Sequence, residues 1–574
     1  AKTMRADHPE SYEAASHFGV AVEPLRQALN ERASLTLWLL MAAAGFVLLI
    51  ACANVANLTL MRGVRREREM LVRAALGAGS WRLRRFLLVE NLTLTLAGGV
   101  LGVLVAFGGL QLLIGFARQL TPRADEIRVD GLVLLVSLAT SVAAAIVLSF
   151  VPKVGSDKSL AAPLAAAGRR TTASRCGQRL QHALVVTQLA VCVVLLTGAG
   201  LLVRTLGKLQ SVETGVQSAN VLTMELPIEG DAISQADKVT MYERMRDRVA
   251  TLPAVSQASI GSDVPLRSTP FVLEVKAEGR ALSAGEATPR GVFKLADPSY
   301  FGAAGIPLLS GRVFATTDRR GTGRVVVINK SFAQRLFGNE NPIGRRIAWT
   351  GEVLKFIPIT GDWRTVVGVV GDTRDAGLDA DPTSVVYQPF GQEEIFNGAL
   401  VIKTKSDPAL LAPSVLRAIR EIYPRQLIEH VATLDEVRDT TVAPRRLNAV
   451  FIAAFGVLAM IIAVVGIAGV LAFSVSSRIS EIGIRMSLGA DASRVRRMVL
   501  SEGGVLLGVG LGVGVLGALA TSQLLSGLLF GVAPHDPVTL AGVTALLAAV
   551  GIAACWLPAA RAARVDPAVA LRAE

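Results

Sequence analysis

Charged residues are scarce in this chain. Asp, Glu, Lys and Arg make up 18% of its 574 residues, whereas hydrophobic residues make up 51%. Soluble proteins typically carry about 25% charged residues, so the scarcity indicates a membrane protein. The net charge is +13. A basic excess can indicate nucleic acid as well as membrane, so the positions of the Arg residues must decide between them.

Cysteines and catalytic motifs are also few. The four cysteines, Cys52, Cys176, Cys192 and Cys555, lie far apart, and three of them lie in apolar runs. That pattern excludes a disulfide framework and a cysteine metal cluster. No Walker A loop, H-E-x-x-H or G-x-S-x-G motif occurs, and the five His residues are scattered. We therefore expect no catalytic site, no metal and no cofactor.

Long apolar runs dominate what is present. A helix needs about 20 apolar residues to cross a bilayer, and seven stretches qualify, at about 35–60, 86–114, 131–152, 183–203, 447–473, 500–529 and 539–558. Short β-branched runs at 324–329, 365–370 and 399–404 alternate with helical patterns at 234–252 and 408–423 in the polar insert between the fourth and fifth stretches. The predicted fold class is an α-helical integral membrane protein, of about seven transmembrane helices, with a large extracytoplasmic α/β domain.

The basic residues follow a topological pattern. Together the loops 61–85, 153–182 and 474–499 and the tail 559–574 carry 22 Lys or Arg and 7 acidic residues. The alternate loops, 115–130 and 531–538, carry no basic excess. Because cytoplasmic loops carry the Lys/Arg surplus, we expect a cytoplasmic C-terminus and an external insert. The excess of Lys and Arg is therefore explained by the cytoplasmic membrane surface, and no nucleic acid is expected as a partner.

A short basic segment occurs twice. "EMLVRAALGAGSWRLRR" at 69–85 and "EIGIRMSLGADASRVRR" at 481–497 align at an offset of 412, and continued to Glu90 and Glu502 they share ten identities in 22 columns. The chain is therefore predicted to be an internal duplication whose first copy lacks its opening helix and most of its external domain. Because the first residue is Ala and no signal peptide precedes it, we expect the N-terminus to be missing.

Each copy of the segment predicts a short amphipathic helix beneath the membrane, followed by a turn into a span. The second helix would end at Gly489, with Asp491 or Ser493 capping the next one. It could simply rest in the headgroup region, or two equivalent helices could dock onto a two-fold partner. A DNA-binding helix-turn-helix is not favoured, because both copies adjoin spans directly. Glu90 and Glu502 could be functional or structural acids, since Arg residues lie nearby. The glycines of 508–517 are expected to let neighbouring helices approach closely.

These motifs resemble a known family. "EIGIRMSLGA…RVRRMVLSEG", "WLPAARAARVDPAVALR" and "VINKSFAQRLFGNENPIGRRI" are similar to FtsX/MacB-like ABC transporter permeases, and the two concatenated copies resemble the duplicated permeases common in acidobacteria. The resemblance implies a bacterial inner-membrane protein with a MacB-type periplasmic domain. It also implies a separate cytoplasmic dimer of ATP-binding subunits and a periplasmic partner or substrate. ATP hydrolysis in that dimer would move the external domain for export of the substrate.

The resemblance and the patterns together divide the chain and suggest its site residues. The predicted divisions are a remnant periplasmic domain 1–34, a first permease unit 35–152, a linker 153–182, a helix 183–203, the periplasmic core 204–446, a second permease unit 447–558 and a tail 559–574. The proposed ATPase-coupling residues are Glu69, Arg73, Leu76, Gly77, Glu481, Arg485, Leu488 and Gly489. The interfacial charges are Arg84, Arg85, Glu90, Arg496, Arg497 and Glu502. A membrane scaffold or sensor, and an ion-coupled carrier, remain as alternative functions.

Overall fold

The computed structural model describes two compact units of the chain. The described residues are 24–65, 73, 80–117, 130–150, 173–228, 233–267, 271–281, 286–355, 357, 359–375, 377–477, 484, 486–487 and 491–562. One unit, the helical unit, comprises residues 25–208 and 444–574. The other, the external domain, is built from residues 209–443 and is grouped with residues 1–24.

The described residues form eleven α-helices. They are α1 (Leu25–Arg65), α2 (Ser80–Ala117), α3 (Gly131–Phe150), α4 (Ala173–Gln210), α5 (Gln235–Ala250), α6 (Tyr300–Ala304), α7 (Lys330–Phe337), α8 (Pro408–Ile422), α9 (Leu434–Ser477), α10 (Ala492–Ser522) and α11 (Pro537–Ala562). Six of them, α1, α2, α4, α9, α10 and α11, are long and apolar enough to cross a membrane. The seventh predicted span is α3, whose apolar part, Gly131–Val147, is shorter.

The helix boundaries repeat with the offset found in the sequence. Helices α1 and α9 end 412 residues apart, at Arg65 and Ser477, and α2 and α10 begin 412 residues apart, at Ser80 and Ala492. Helix α2 packs against α3, and α10 packs in the same way against α11. The two copies therefore share one local architecture of a long helix followed by a packed helix pair.

Helix α4 has no counterpart among the described helices of the first copy, and it packs closely on α10. A Cβ atom on Gly510 would lie 2.7 Å from Cβ of Leu189, and one on Gly514 would lie 2.7 Å from Cβ of Val193. Glycine permits this approach because it has no side chain. The expectation for the glycines is therefore right for Gly510, Gly514 and Gly517, the last of which faces Val194.

The same expectation is wrong for two of the five glycines. A Cβ atom on Gly508 or Gly512 would meet no described atom within 4 Å. The physical reason is helical periodicity, because residues two positions apart on a helix point to different faces. Only the glycines spaced three to four residues apart lie on the face of α10 that packs on α4.

The first copy carries the same glycine pair without the same contact. Gly98 and Gly102 of α2 are the repeat equivalents of Gly510 and Gly514, and a Cβ atom on either would meet no described atom within 4 Å. Leu506 of α10 is 7% exposed, whereas its equivalent on α2, Leu94, is 49% exposed. The duplicated sequence is therefore packed asymmetrically in the described structure.

The external domain contains a single sheet of eleven strands. They are β1 (Val221–Pro227), β2 (Val255–Gly261), β3 (Val272–Ala277), β4 (Arg290–Ala296), β5 (Leu308–Gly311), β6 (Val325–Asn329), β7 (Arg346–Thr350), β8 (Arg364–Val370), β9 (Val385–Pro389), β10 (Asn397–Thr404) and β11 (Glu429–Thr433). The order β11-β1-β10-β2, with α5 after β1 and α8 after β10, is that of a split β-α-β fold.

A second group of strands is inserted between β2 and β10. The pairings β4-β3-β7-β8-β6-β9 return to β4 through a parallel β4–β9 ladder, so six strands close into a ring. Strand β5 pairs with β8 outside this path. Closing the ring leaves no edge along these six strands, which removes the unpaired backbone groups that an open sheet would present.

Local sequence signals explain several of these elements. The predicted strands at 324–329, 365–370 and 399–404 correspond to β6, β8 and β10, and the predicted helices correspond to α5 and α8. Helix α7 begins after Asn329, whose side chain accepts a hydrogen bond from the backbone N–H of Phe332. It ends at Gly338, whose φ of +61° favours glycine.

Replacing one glycine at the α4–α10 contact should destabilise the helical unit. We expect Gly510→Leu to lower stability by at least about 1–3 kcal/mol, because overpacking a close contact forces backbone shifts. Gly508→Leu on the same helix and Gly98→Leu at the repeat-equivalent position are matched controls and should be tolerated. The measurement is the fraction of detergent-purified chain that stays monodisperse after heating. An equal loss of monodisperse protein in all three variants would contradict a close contact between α4 and α10 at Gly510.

Candidate functional site

The predicted coupling residues fall in two stretches of the chain, 66–79 and 478–491, which follow α1 and α9 and precede α2 and α10. These stretches, called the gaps below, have equal length, lie at the repeat offset and are described only in part. Seven of the eight proposed coupling residues lie outside the described residues: Glu69, Leu76, Gly77, Glu481, Arg485, Leu488 and Gly489. Arg73 is described, and its guanidinium carbon lies 4.9 Å from the ring centroid of Phe86, a cation–π distance. This contact joins the first gap to the start of α2.

The second gap has a described apolar contact as well. Ile484, Met486 and Ser487 are helical, and Met486 packs against a small cluster formed by Val495 and Val499 of α10 with residues of α11. Ile484 is half exposed. Met486 therefore packs on α10 and α11, whereas half of the Ile484 side chain stays exposed.

The interfacial charges separate into exposed and paired groups. The side chains of Arg85, Arg496 and Arg497 are exposed, whereas that of Arg84 lies outside the described part. Glu502 is partly buried and accepts a hydrogen bond of 3.2 Å from the hydroxyl of Ser474. Glu90, its repeat equivalent, is also partly buried.

Glu502 has a second partner in α4. The Nε2 atom of His182 lies 3.8 Å from its carboxylate. A paired acid at the end of a span is less costly than an isolated one, so these contacts favour the structural alternative for Glu502.

Amides that bond between helices of the two copies are a feature that the sequence reasoning missed. The Nδ2 atom of Asn54 in α1 donates to the carbonyl oxygen of Ile462 in α9, at 3.3 Å. The Nε2 atom of Gln188 in α4 donates to the carbonyl oxygen of Ile50, at 3.0 Å. The available signal was the presence of polar amides in apolar runs, where hydrogen bonds between helices are expected.

The two acceptors are related by the internal repeat. Ile50 and Ile462 are equivalent positions at the offset of 412, and so are Asn54 and Gly466. Asn54 bonds to the second copy, but Gly466 has no side chain with which to return the bond. A Cβ atom on Gly466 would lie 2.7 Å from Oε1 of Gln188 and 3.1 Å from Oδ1 of Asn54. The amide of Gln188 therefore occupies the place that a symmetric side chain would have filled.

A cavity of about 560 Å³ lies in the external domain. Apolar side chains of β4 and neighbouring loops form part of its wall, and charged side chains complete it: Phe271, Phe293, Leu295, Ile357, Phe396, Glu225, Asp263, Arg267 and Glu429. Burial raises the pKa of Asp263, although nearby Lys294 opposes the shift. The cavity therefore combines an aromatic wall with three acids and one Arg.

A buried ion pair lies close to this cavity. The Nζ atom of Lys294 is 2.7 Å from a carboxylate oxygen of Asp375, and both side chains are at most 5% exposed. Burial alone would raise the pKa of Asp375, but Lys294 holds that pKa below its usual value. Asp375 also accepts from the backbone N–H of Leu266, at 3.1 Å. The pair fixes the loop after β2 to β4, and Asp263 and Arg267 lie on that loop.

Comparison with known proteins identifies both units. The family model "FtsX-like permease C-terminal" matches residues 41–153 and 453–567, and "MacB-like periplasmic core domain" matches residues 183–421. The chain belongs to the FtsX/MacB-type family of ABC transporter permeases. The two FtsX-like matches begin 412 residues apart, which is the offset of the repeated segment. The recognised family and the fold class are thus confirmed, and membrane-spanning helices with a MacB-type domain fit an inner-membrane protein.

Curated relatives match about half of this chain. Macrolide export ATP-binding/permease protein MacB 1/2 of Paracoccus denitrificans (strain Pd 1222) is 27% identical over 48% of this chain and 40% of that protein. MacB of Rhodopseudomonas palustris (strain HaA2) is 30% identical over 47% of this chain and 41% of that protein. The chain thus spans about two fifths of the length of these relatives.

Two solved structures, of a periplasmic region and of an extracellular domain, are similar to part of this chain. The periplasmic region of MacB from Actinobacillus actinomycetemcomitans is 15% identical, with a TM-score of 0.28, over 41% of this chain and 97% of that one. The extracellular domain of the noncanonic ABC-type transporter YknZ from Gram-positive bacteria is 16% identical, with a TM-score of 0.24, over 37% of this chain and 98% of that one.

Removing the amide at Gln188 and introducing one at Gly466, the repeat equivalent of Asn54, should test the contact between the copies. Gln188→Ala should destabilise the chain by removing the bond to Ile50, and Gly466→Asn should do so by crowding Gln188. In the double variant the Asn side chain at position 466 has room and can donate to the carbonyl oxygen of Ile50. The loss of stability should therefore be smaller than the sum of the two single losses. We expect a coupling of about 1 kcal/mol in a double-mutant cycle of thermal unfolding in detergent. Gly469→Asn, where a Cβ atom would meet no described atom within 4 Å, is the control for Gly466→Asn, and strict additivity would count against the assignment.

Proposed function

We propose that this chain is the permease subunit of an ABC-type complex in which a separate dimer of ATP-binding subunits moves the external domain. The paired segments at 69–77 and 481–489 are the docking elements in this proposal. Closure of the ATP-binding dimer pushes both segments, and the attached helices transmit the motion to the external domain for export of a substrate. The 574 residues contain no Walker A motif, and the proposal assigns ATP binding to the partner.

The proposal rests on one repeated feature, the stretch of chain that separates α1 from α2 and α9 from α10. Two equal gaps at one offset, each preceded by a long helix and followed by a packed helix pair, offer a two-fold partner two equivalent contacts. Family membership supports coupling to ATP binding, since the relatives' printed name, "Macrolide export ATP-binding/permease protein", joins both activities in one protein. A scaffold or sensor without transport would not need matched gaps.

We propose further that both gaps and the C-terminus are cytoplasmic and that the external domain is periplasmic. The test is a pair of reporter fusions, one after Glu574 and one inserted at Gly321. Gly321 suits an insertion because a Cβ atom there would meet no described atom within 4 Å. We expect a cytoplasmic-only reporter to be active after Glu574 and a periplasm-only reporter to be active at Gly321. Activity of a periplasmic reporter after Glu574 would refute this topology.

Charge reversal in the gaps should uncouple the ATPase. Glu481→Lys with Arg485→Glu, and Glu69→Lys with Arg73→Glu, should each weaken binding of the co-purifying ATP-binding subunit by about tenfold or more, because like charges in an interface cost several kcal/mol. Stimulation of ATP hydrolysis by the permease should fall accordingly, while membrane insertion stays unchanged. The two double variants should behave alike, since the repeat predicts near-equivalent contacts.

The matched control reverses a charge pair away from the gaps. Arg248 and Glu421 form an exposed ion pair of 2.6 Å in the external domain, and Arg248→Glu with Glu421→Arg should leave ATPase stimulation intact. If all four reversals in the gaps left stimulation unchanged, the segments would be surface-lying helices instead. If no ATPase co-purified with the chain, the scaffold or carrier alternatives would be favoured.

A further inference from the structure

One group of metal-ligating side chains in the external domain has no role in the proposed function. Glu225 lies on β1, and Glu429 and His430 open the neighbouring strand β11. One ligand atom from each residue lies within 4.8 Å of the other two. The Nδ1 atom of His430 is 3.0 Å from Oε2 of Glu225. Two ligands of a tetrahedral zinc ion are about 3.3 Å apart, so small side-chain movements would bring these atoms to coordination distance.

The strand register brings like charges together. Glu225 and Glu429 are direct partners in the antiparallel β1–β11 ladder, and like charges directly opposite on neighbouring strands destabilise a sheet. Both residues line the cavity of about 560 Å³, which also contains Asp263. The Nε atom of Arg267 lies 3.9 Å from one carboxylate oxygen of Glu225. A divalent cation between the two carboxylates would offset this concentration of negative charge.

His430 is positioned for this purpose by an unusual backbone conformation. Its φ is +51°, a left-handed value that is uncommon for a non-glycine residue. The β1–β11 register also shifts between Thr223 and Glu225. Such irregularities re-aim side chains at strand ends, and here the result is an imidazole directed at the carboxylate of Glu225.

We propose that Glu225, Glu429 and His430 bind one divalent transition-metal cation, with Zn²⁺ as the representative ion. One imidazole and two carboxylates leave a fourth position for water, facing the cavity. The imidazole suits Zn²⁺ and related ions, whereas Mg²⁺ and Ca²⁺ prefer sets made only of oxygen ligands. A bound cation competes with protons for the imidazole and the carboxylates, so affinity falls as the pH is lowered. This site departs from the sequence-based expectation of no metal.

The cation would fasten an edge strand. Strand β11 pairs only with β1 in the described sheet, and α9 begins at Leu434, directly after it. Ligands from both strands therefore make the bound cation a cross-strand clamp at the start of α9. The proposal does not depend on ATPase coupling or on export, and it stands even if the chain is a scaffold.

The test uses the full chain in detergent, purified without an oligohistidine tag and stripped with chelator. Zn²⁺ binding is measured by competition with a chromophoric chelator, and Co²⁺ replaces Zn²⁺ for absorption spectra. We expect one equivalent of Zn²⁺ per chain and a rise in melting temperature on binding. His430→Gln and Glu429→Gln should each weaken binding by at least about tenfold, since loss of even an outer-shell partner costs about 10–100-fold.

Two control variants separate this site from scattered binding. Glu421→Gln removes another exposed carboxylate of the domain, and His535→Gln removes a histidine of the helical unit; both should bind Zn²⁺ like the unaltered chain. Because Glu429 and His430 are exposed, their variants should melt normally without metal. Equal Zn²⁺ affinity in the unaltered chain and in Glu429→Gln/His430→Gln, or no stoichiometric binding at all, would overturn the proposal.

Discussion

The close approach of α4 to α10 is the contact on which the helical unit depends. Apolar burial provides little net attraction between helices surrounded by lipid, so association rests on tight van der Waals packing and a few hydrogen bonds. Gly510 and Gly514 permit that packing against Leu189 and Val193. The equivalent glycines on α2 face open space among the described residues. One duplicated sequence therefore yields two different environments, because only one copy has a described helix at this face.

Buried polar groups impose specificity on both units by different means. Between the copies, neutral amides bond to backbone carbonyls at Ile50 and Ile462. In the external domain the buried groups are charged: Arg364 bonds to Glu393 through Nε and Nη2, at 3.0 and 2.8 Å, with both side chains at most 4% exposed. Removing one member of a buried ion pair costs about 3–5 kcal/mol, whereas neutral bonds between membrane helices contribute about 0.6–2 kcal/mol. Removal of one partner is thus expected to cost more in the external domain than in the helical unit.

Sequence reasoning worked where the signal was local. The spans and the strands β6, β8 and β10 follow from hydropathy and periodicity within a few residues. The closed ring of six strands could not be predicted this way, because β4 and β9 are distant in sequence and their register depends on tertiary packing. For the same reason Glu225 and His430 looked unrelated in a chain with scattered histidines. The coupling residues were chosen from the repeat itself, and they remain a prediction.

Asymmetric packing is compatible with a symmetric partner. The two gaps have equal length and are bounded by helices that end and begin at the same offset. The differences between the copies lie instead at α4, which packs on α10, and at Gly466, where the second copy lacks the amide that the first copy has at Asn54. A two-fold ATP-binding dimer could therefore apply equal displacements to the segments. Unequal packing within the bundle would then turn equal displacements into a directed movement, because α10 packs closely on α4 whereas Gly98 and Gly102 of α2 meet no described atom within 4 Å.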